Sequence, residues 1–259
     1  RALAGAKRNP QAPEPFQQML AALKDTTVPA DVPFIYSLMK SAYGLEKLAA
    51  ESADIIKTRP TDWRIYKVLG ETYRELKKYR QAKQAYLKAR DLCDFPAGKL
   101  QVTIGLAMLY MEEGDYSKAE REYKTILKEY PNNFVSLNNL AYLYSNNMGR
   151  SEEAIPLIER AMQLKLGDVK LIDTYAWALA QSGNFDRALA EMKKVIDLEE
   201  PSTDTLYHMG YILEKTGDLE GAKGYYRRVF ESIRDDKDHS LHEVLQKALV
   251  RIQKKLSKE

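Results

Sequence analysis

The chain has 259 residues, 44% of them hydrophobic and 30% charged, which is enough apolar content to bury a core and too much for a disordered protein. Its 40 basic and 37 acidic residues leave a formal charge of only +3, and they mix along the whole length, so no charged tail points to nucleic acid or another polyelectrolyte. The lone Cys93 excludes an internal disulfide and a cysteine-based metal site, and the longest apolar run, 102–111, falls well short of the roughly 20 residues of a spanning helix.

In chain order, the sequence starts at Arg1 without signal-peptide features, as a fragment or processed form would, so the compartment is left open. Residues 1–28 carry a Pro-rich joint, NPQAPEP, and an amphipathic FQQMLAALKD, expected to be a truncated repeat. Residues 29–62 are expected to form a degenerate helix pair ending at Pro60. Beyond them the chain is periodic. Small residues recur at Gly70, Ala107, Ala141, Ala176 and Gly210, spaced 37, 34, 35 and 34, in step with Ala82, Ala119, Ala154, Ala188 and Ala222. A large residue follows each member of the first series three places on (Tyr73, Tyr110, Tyr144, Leu179, Leu213), and turns such as EGDY, SGNF and TGDL lie between the two series. Each period predicts a helix, a turn and a helix, in units 63–99, 100–133, 134–168, 169–202 and 203–236. Two antiparallel helices approach closely only where their contact positions lack bulk, which is the role of the Ala and Gly series. The turn glycines can adopt the left-handed conformation that ends a helix, the Asp or Asn after them can cap the next, and Pro60, Pro131 and Pro201 stop the second helices. Three irregularities stand out: three extra residues in the DLCDFPAGK turn, one inserted near NNMG, and Pro156 inside a second helix, where a kink costs up to about 3 kcal/mol. Residues 237–259 place Leu241, Leu245, Ala248, Leu249, Ile252 and Leu256 on one stripe, as a capping helix would.

Unit 100–133 carries Leu106, Ala107, Tyr110, Gly114, Tyr116, Ala119, Tyr123 and Pro131, and 66–86 repeats much of that pattern. At these positions the chain resembles the tetratricopeptide repeat (TPR) family. The resemblance implies an all-α, right-handed superhelical solenoid of helix-turn-helix units with a C-terminal capping helix, whose first helices line a concave wall. It implies a non-catalytic scaffold that binds a peptide or protein segment there. Carried over place by place, the wall residues of the first full unit are Arg64, Lys67, Val68, Glu71, Arg74 and Glu75, expected to be a solvated charged face. The later units supply the expected binding groove: Ile104, Met108 and Met111; Asn138, Asn139 and Tyr142; Asp173 and Trp177; Tyr207, His208 and Tyr211. Asparagine amides both donate and accept, so they suit a peptide backbone, while the aromatic and Met side chains offer apolar contact, with Trp177 the expected anchor. The competing expectation is that Tyr142, Trp177 and Tyr211 pack against the neighbouring repeat or a C-terminal helix, and that the asparagines bond within the scaffold.

The carboxylate clamp of the family's co-chaperones is matched at only two of five places around Asn139, with Ile104 and Met108 before it and Lys170 and Thr174 after it. His239 and His242 have a three-residue helical spacing but need further ligands to hold zinc, and a solvated helix start is the expectation. No phosphate loop, nucleophile motif or cofactor fingerprint is present, so no cofactor is expected. Two rival functions remain open at this level. One is a docking module of a larger enzyme or of a bacterial secretion or polysaccharide-export assembly; the other is self-assembly into a homo-oligomer through repeat edges.

Overall fold

The computed structural model describes residues 32–236 and 241–257; the expected truncated repeat at 1–28 and His239 lie outside the described residues. Among the described residues all regular structure is helical. The chain divides into two compact units, Arg1–Glu129 and Tyr130–Glu259. The first contains α1 (Val32–Tyr43), α2 (Leu45–Thr58), α3 (Trp63–Glu75), α4 (Tyr79–Leu92), α5 (Pro96–Glu112) and α6 (Tyr116–Glu129). The second contains α7 (Phe134–Tyr142), α8 (Ser151–Leu164), α9 (Val169–Gln181), α10 (Phe185–Leu198), α11 (Thr203–Thr216), α12 (Leu219–Ser232) and α13 (Leu241–Leu256). A π-helical turn, Leu143–Asn147, prolongs α7. Within each unit consecutive helices pack as pairs, and each pair packs on the next. No helix among the described residues is long and apolar enough to cross a membrane.

First helices start where a side chain can accept from their orphan N–H groups. Asp62 accepts from Arg64 N at 3.1 Å, Asn133 from Ser136 N at 2.8 Å, Asp168 from Lys170 N at 3.0 Å, and Ser202 from Thr205 N at 3.1 Å. Each such cap stabilises its helix by about 1 kcal/mol. The helix α5 has no side-chain cap and starts instead with Pro96 in its first turn, where a missing N–H costs nothing. The three residues expected to widen the preceding turn therefore extend α5. Gly98 permits this, because a Cβ there would lie 2.4 Å from Cys93 Sγ and 2.9 Å from the Trp63 ring. Pro156 is the other departure. The helix α8 continues through it from Ser151 to Leu164, and both Pro156 and Glu152, whose carbonyl loses a donor, are exposed, so water can serve that carbonyl.

The turns inside the pairs use left-handed backbone. Gly114, Gly183 and Gly217 have φ of 79°, 86° and 94°, a region open to glycine at no steric cost. In the α3–α4 turn the same place is taken by Lys77 at φ 57°, the one positive-φ non-glycine among the described residues.

Across the pair contacts, the Ala series is sealed: Ala82, Ala107, Ala119, Ala141, Ala154, Ala176, Ala188 and Ala222 have no exposed surface. Glycine stands where the facing residue is a tyrosine lying flat on the backbone. A Cβ on Gly70 would come within 2.9 Å of the Tyr86 ring, and one on Gly210 within 2.7 Å of the Tyr226 ring. Gly105, which the repeat register assigns to the inner wall, also packs on Tyr86, at 2.7 Å from an added Cβ.

The charged wall of the first unit neutralises itself. Lys67 pairs with Glu71 at 2.6 Å, Lys40 with Glu75 at 2.6 Å, Arg64 with Asp62 at 2.7 Å, and Arg74 with Glu112. In the second unit α13 packs on α12 and buries Leu245, Ala248 and Ile252. Its Arg251 holds the buried Glu214 of α11 through two bonds of 2.6 and 2.8 Å, and the Tyr226 hydroxyl donates to the same carboxylate at 3.2 Å. His242 packs edge-on against Phe230 and lies 2.8 Å from the Asp236 carbonyl through Nε2.

Replacing Lys77 with Gly is expected to stabilise the first unit by about 1 kcal/mol by removing left-handed strain, read as a higher urea midpoint with an unchanged m-value. Glu214 gives a pH signature. Burial raises its carboxyl, but the hydrogen bonds and charge of Arg251, with Tyr226, outweigh burial and hold it below the ordinary carboxylate value. Its contribution is therefore present above the unfolded-state value and lost as pH falls through the folded one. Glu214→Gln should lower stability at neutral pH and make acid unfolding of the second unit less steep; an unchanged acid limb would refute this.

Candidate functional site

The expected groove residues separate between the two units. Ile104, Met108 and Met111 lie on α5 of the first unit, all partly buried, and Met111 Sδ accepts the Tyr123 hydroxyl at 3.7 Å. The remaining eight lie in the second unit, on its first helices α7, α9 and α11. The structure sorts these eight into an accessible set and an interior set.

Asn138 and Asn139 are partly buried. They border a cleft of about 520 Å³ between α7 and the start of α9, shared with Phe134, Val135, Lys170 and Leu171. The Asn138 amide donates to Asn139 Oδ1 at 3.3 Å, while Asn138 Oδ1 is sealed from solvent without a partner. A buried acceptor left unmatched costs about 1–3 kcal/mol. The pair thus adds no evident stability to the scaffold. The cleft also contains both polarities of charge. Lys170 is exposed, and Lys165 bonds to Asp168 at 2.6 Å while lying 4.9 Å from the centre of the Phe134 ring.

Tyr142 and Tyr207 are partly buried. Burial first, then the carboxylates of Asp204 and Asp173 and the Tyr207 phenol, push the Tyr142 hydroxyl up to about 12, so it stays a neutral donor across the physiological range. Asp204 is exposed at the start of α11.

Trp177 and His208 belong to the interior set, each only 3% exposed. The indole and imidazole stack with centroids 4.1 Å apart and planes 18° apart, and Tyr211 meets the indole edge-on at 5.2 Å. His208 Nδ1 lies 2.9 Å from Asp173 Oδ1, and the Thr205 hydroxyl donates to Asp173 Oδ2 at 3.3 Å. Both Asp173 oxygens are thereby engaged. Trp177, expected as an exposed anchor, is instead a packing residue between α9 and α11, because a ring this large gains more from burial than from the wall.

The buried indole N–H needs an acceptor, and the π turn supplies it: Trp177 Nε1 donates to Asn146 Oδ1 at 3.3 Å. Asn146 is a wall place by the repeat register but lies outside the expected groove set. Its signal was present in the spacing. From the first small residue to the second is 12 places in the other four units but 13 between Ala141 and Ala154, and the extra residue is absorbed as the π turn Leu143–Asn147.

Trp177→Ala should destabilise the second unit by roughly 3–5 kcal/mol, measured by urea denaturation. A loss below about 1 kcal/mol, the scale of a surface change, would show that the ring is not structural.

Four matches to the tetratricopeptide repeat cover residues 64–92, 104–133, 122–155 and 176–235, together more than half of the chain. A curated relative, DnaJ homolog subfamily C member 3 of Gallus gallus, is 25% identical over 162 residues, 57% of this chain and 32% of the relative, so the chain spans about a third of that protein's length. Among solved structures, a chain of the APC/C hetero-tetramer Cut9–Hcn1 aligns with a TM-score of 0.73 at 16% identity, over 93% of this chain and 47% of the other. A thermophilic TPR protein of Thermus thermophilus aligns with a TM-score of 0.61 at 19% identity, over 73% and 99%. At these identities the two structures establish the fold alone.

Proposed function

This chain belongs to the tetratricopeptide repeat family, and we propose that its second unit binds an extended protein segment on the face shared by α7, α9 and α11. As a family the repeats act as protein–protein interaction scaffolds. The observation that supports the reading is the cleft beside Asn138 and Asn139, about 520 Å³ in size and lined also by Lys165, Asp168 and Lys170. The Asn139 amide can donate to a peptide backbone, and its oxygen can accept from one, regardless of the peptide's side chains. The ring faces of Tyr142 and Tyr207, both partly exposed, offer apolar contact next to it. Trp177 contributes by shaping the face and makes a poor probe of binding, since its loss disturbs the fold.

The reading is tested with an array of immobilised, extended peptides probed with the full chain. Peptides that are retained are then titrated against the wild type, Asn139→Ala and Tyr142→Ala. A hydrogen bond worth about 0.5–1.5 kcal/mol predicts affinities lowered roughly 2- to 10-fold by Asn139→Ala, with a larger loss for the ring. Unchanged affinity in both folded variants would place binding elsewhere.

A further inference from the structure

We propose that the exposed face of α13 is a docking surface for an acidic helix of a partner protein, carried by residues distinct from those of the segment-binding face. In the second unit α8 to α12 each pack against the helix before and the helix after. The helix α13 buries one face on α12 through Leu245, Ala248 and Ile252, and among the described residues no later helix covers the other. That other face is open to solvent. Gln246, Lys247, Val250, Arg251, Lys254 and Lys255 are all exposed, Val250 at 56%, and together they line a depression of about 580 Å³. Their spacing makes them two adjacent rows, 246-250-254 and 247-251-255, which run along the helix for about 12 Å. Rows of residues four apart are the ridges between which a second helix lays a ridge of its own. A helix has no free backbone edge, so a strand cannot add to it by main-chain pairing. A helix is the element that the two rows fit.

Charge selects the partner. The chain as a whole balances 40 basic against 37 acidic residues, but residues 244–257 hold four cations, Lys247, Arg251, Lys254 and Lys255, and no carboxylate. Basic residues in a last turn suit the helix dipole, which accounts for Lys254 and Lys255 alone; Lys247 and Arg251 stand further back in α13. Two carboxylates reach the four cations: Glu243 pairs with Lys247, and the buried Glu214 of α11 with Arg251. The face therefore presents an excess of positive charge around an exposed valine. Lysine and arginine stems add apolar surface to such a floor while their charged ends stay at its rim. The complement is a helix with a narrow apolar ridge flanked by Asp and Glu. A phosphate backbone or a flat layer of lipid headgroups would meet the cations and leave Val250 and the depression unfilled.

Backbone amide NMR on the full chain, titrated with three synthetic helical peptides of equal length, tests this. The first peptide has Leu at every fourth place flanked by Glu, the second has Gln for each Glu, and the third keeps the Glu and has Ser for each Leu. The first should shift the amides of 246–255, with an affinity that falls several-fold between about 50 and 200 mM salt. The other two should bind at least about 5-fold more weakly. The double variant Lys254→Gln, Lys255→Gln and the single variant Val250→Ser should each lower the affinity of the first peptide roughly 2- to 10-fold. All three positions are exposed, so the urea midpoint should stay where it is in the wild type. Amides of 246–255 that do not move at millimolar peptide, equal binding of the Glu and Gln peptides, or variants that bind like the wild type would overturn the proposal. A DNA duplex and vesicles containing phosphatidylserine are titrated in parallel. Stronger binding of either at 246–255 than of the Glu peptide would overturn it in favour of nucleic acid or membrane.

Discussion

Everything in this protein depends on how closely two antiparallel helices can approach. That distance is set by residues with little or no side chain on one helix facing a large ring or chain on the other. Where the series carries Ala, a methyl group fits; where Gly70 and Gly210 face Tyr86 and Tyr226, even a methyl would come within 3 Å of the ring. Close packing makes the position of each helix a consequence of volumes in its neighbour. The side chains not used in this contact are then left on the outer surfaces and on the faces of the first helices, where they are free for other work.

The two units use those faces differently. In the first, the wall charges are matched in sequence-near and helix-to-helix ion pairs, so little net charge is presented. Exposed pairs of this kind contribute little stability. In the second, the corresponding face combines amides, phenols and a stacked indole–imidazole pair, with polar groups that are incompletely matched. Buried polar atoms without partners are uncommon in folded proteins, and Asn138 Oδ1 is one of several here, with the Tyr86 and Ser136 hydroxyls in the scaffold. The buried Glu214 shows the opposite design: three bonds from Arg251 and Tyr226 satisfy the carboxylate and tie α13 to α11.

Residue type and register select the first-helix faces on which the candidate site is built. Asn138, Asn139 and Tyr142 fall on the face the repeat register assigns to them, and Asn139 borders an open cleft. Register alone misjudged Trp177, because it gives the direction of a side chain from its helix and says nothing of what the next helix brings against it. Here α11 brings His208, Tyr207 and Tyr211, and the indole is enclosed. Gly105 is a similar case: a wall place by count, but one whose missing side chain is filled by Tyr86. The insertion near NNMG was visible as a slip in spacing, but a slip can be absorbed in a turn or in a helix. At DLCDFPAGK it lengthened α5, and after α7 it became a π turn.

The sequence by itself determined the helix-turn-helix period, the small-residue contacts and the places where helices start and stop, because these depend on local geometry and on a pattern repeated five times. Only the tertiary structure decided which wall residues are accessible. It also decided that Asn146, on the π turn, accepts from the Trp177 indole, and that His208 stacks on that indole with Nδ1 against Asp173. Burial and stacking are properties of three helices at once, and such information is not contained in the spacing along any one of them.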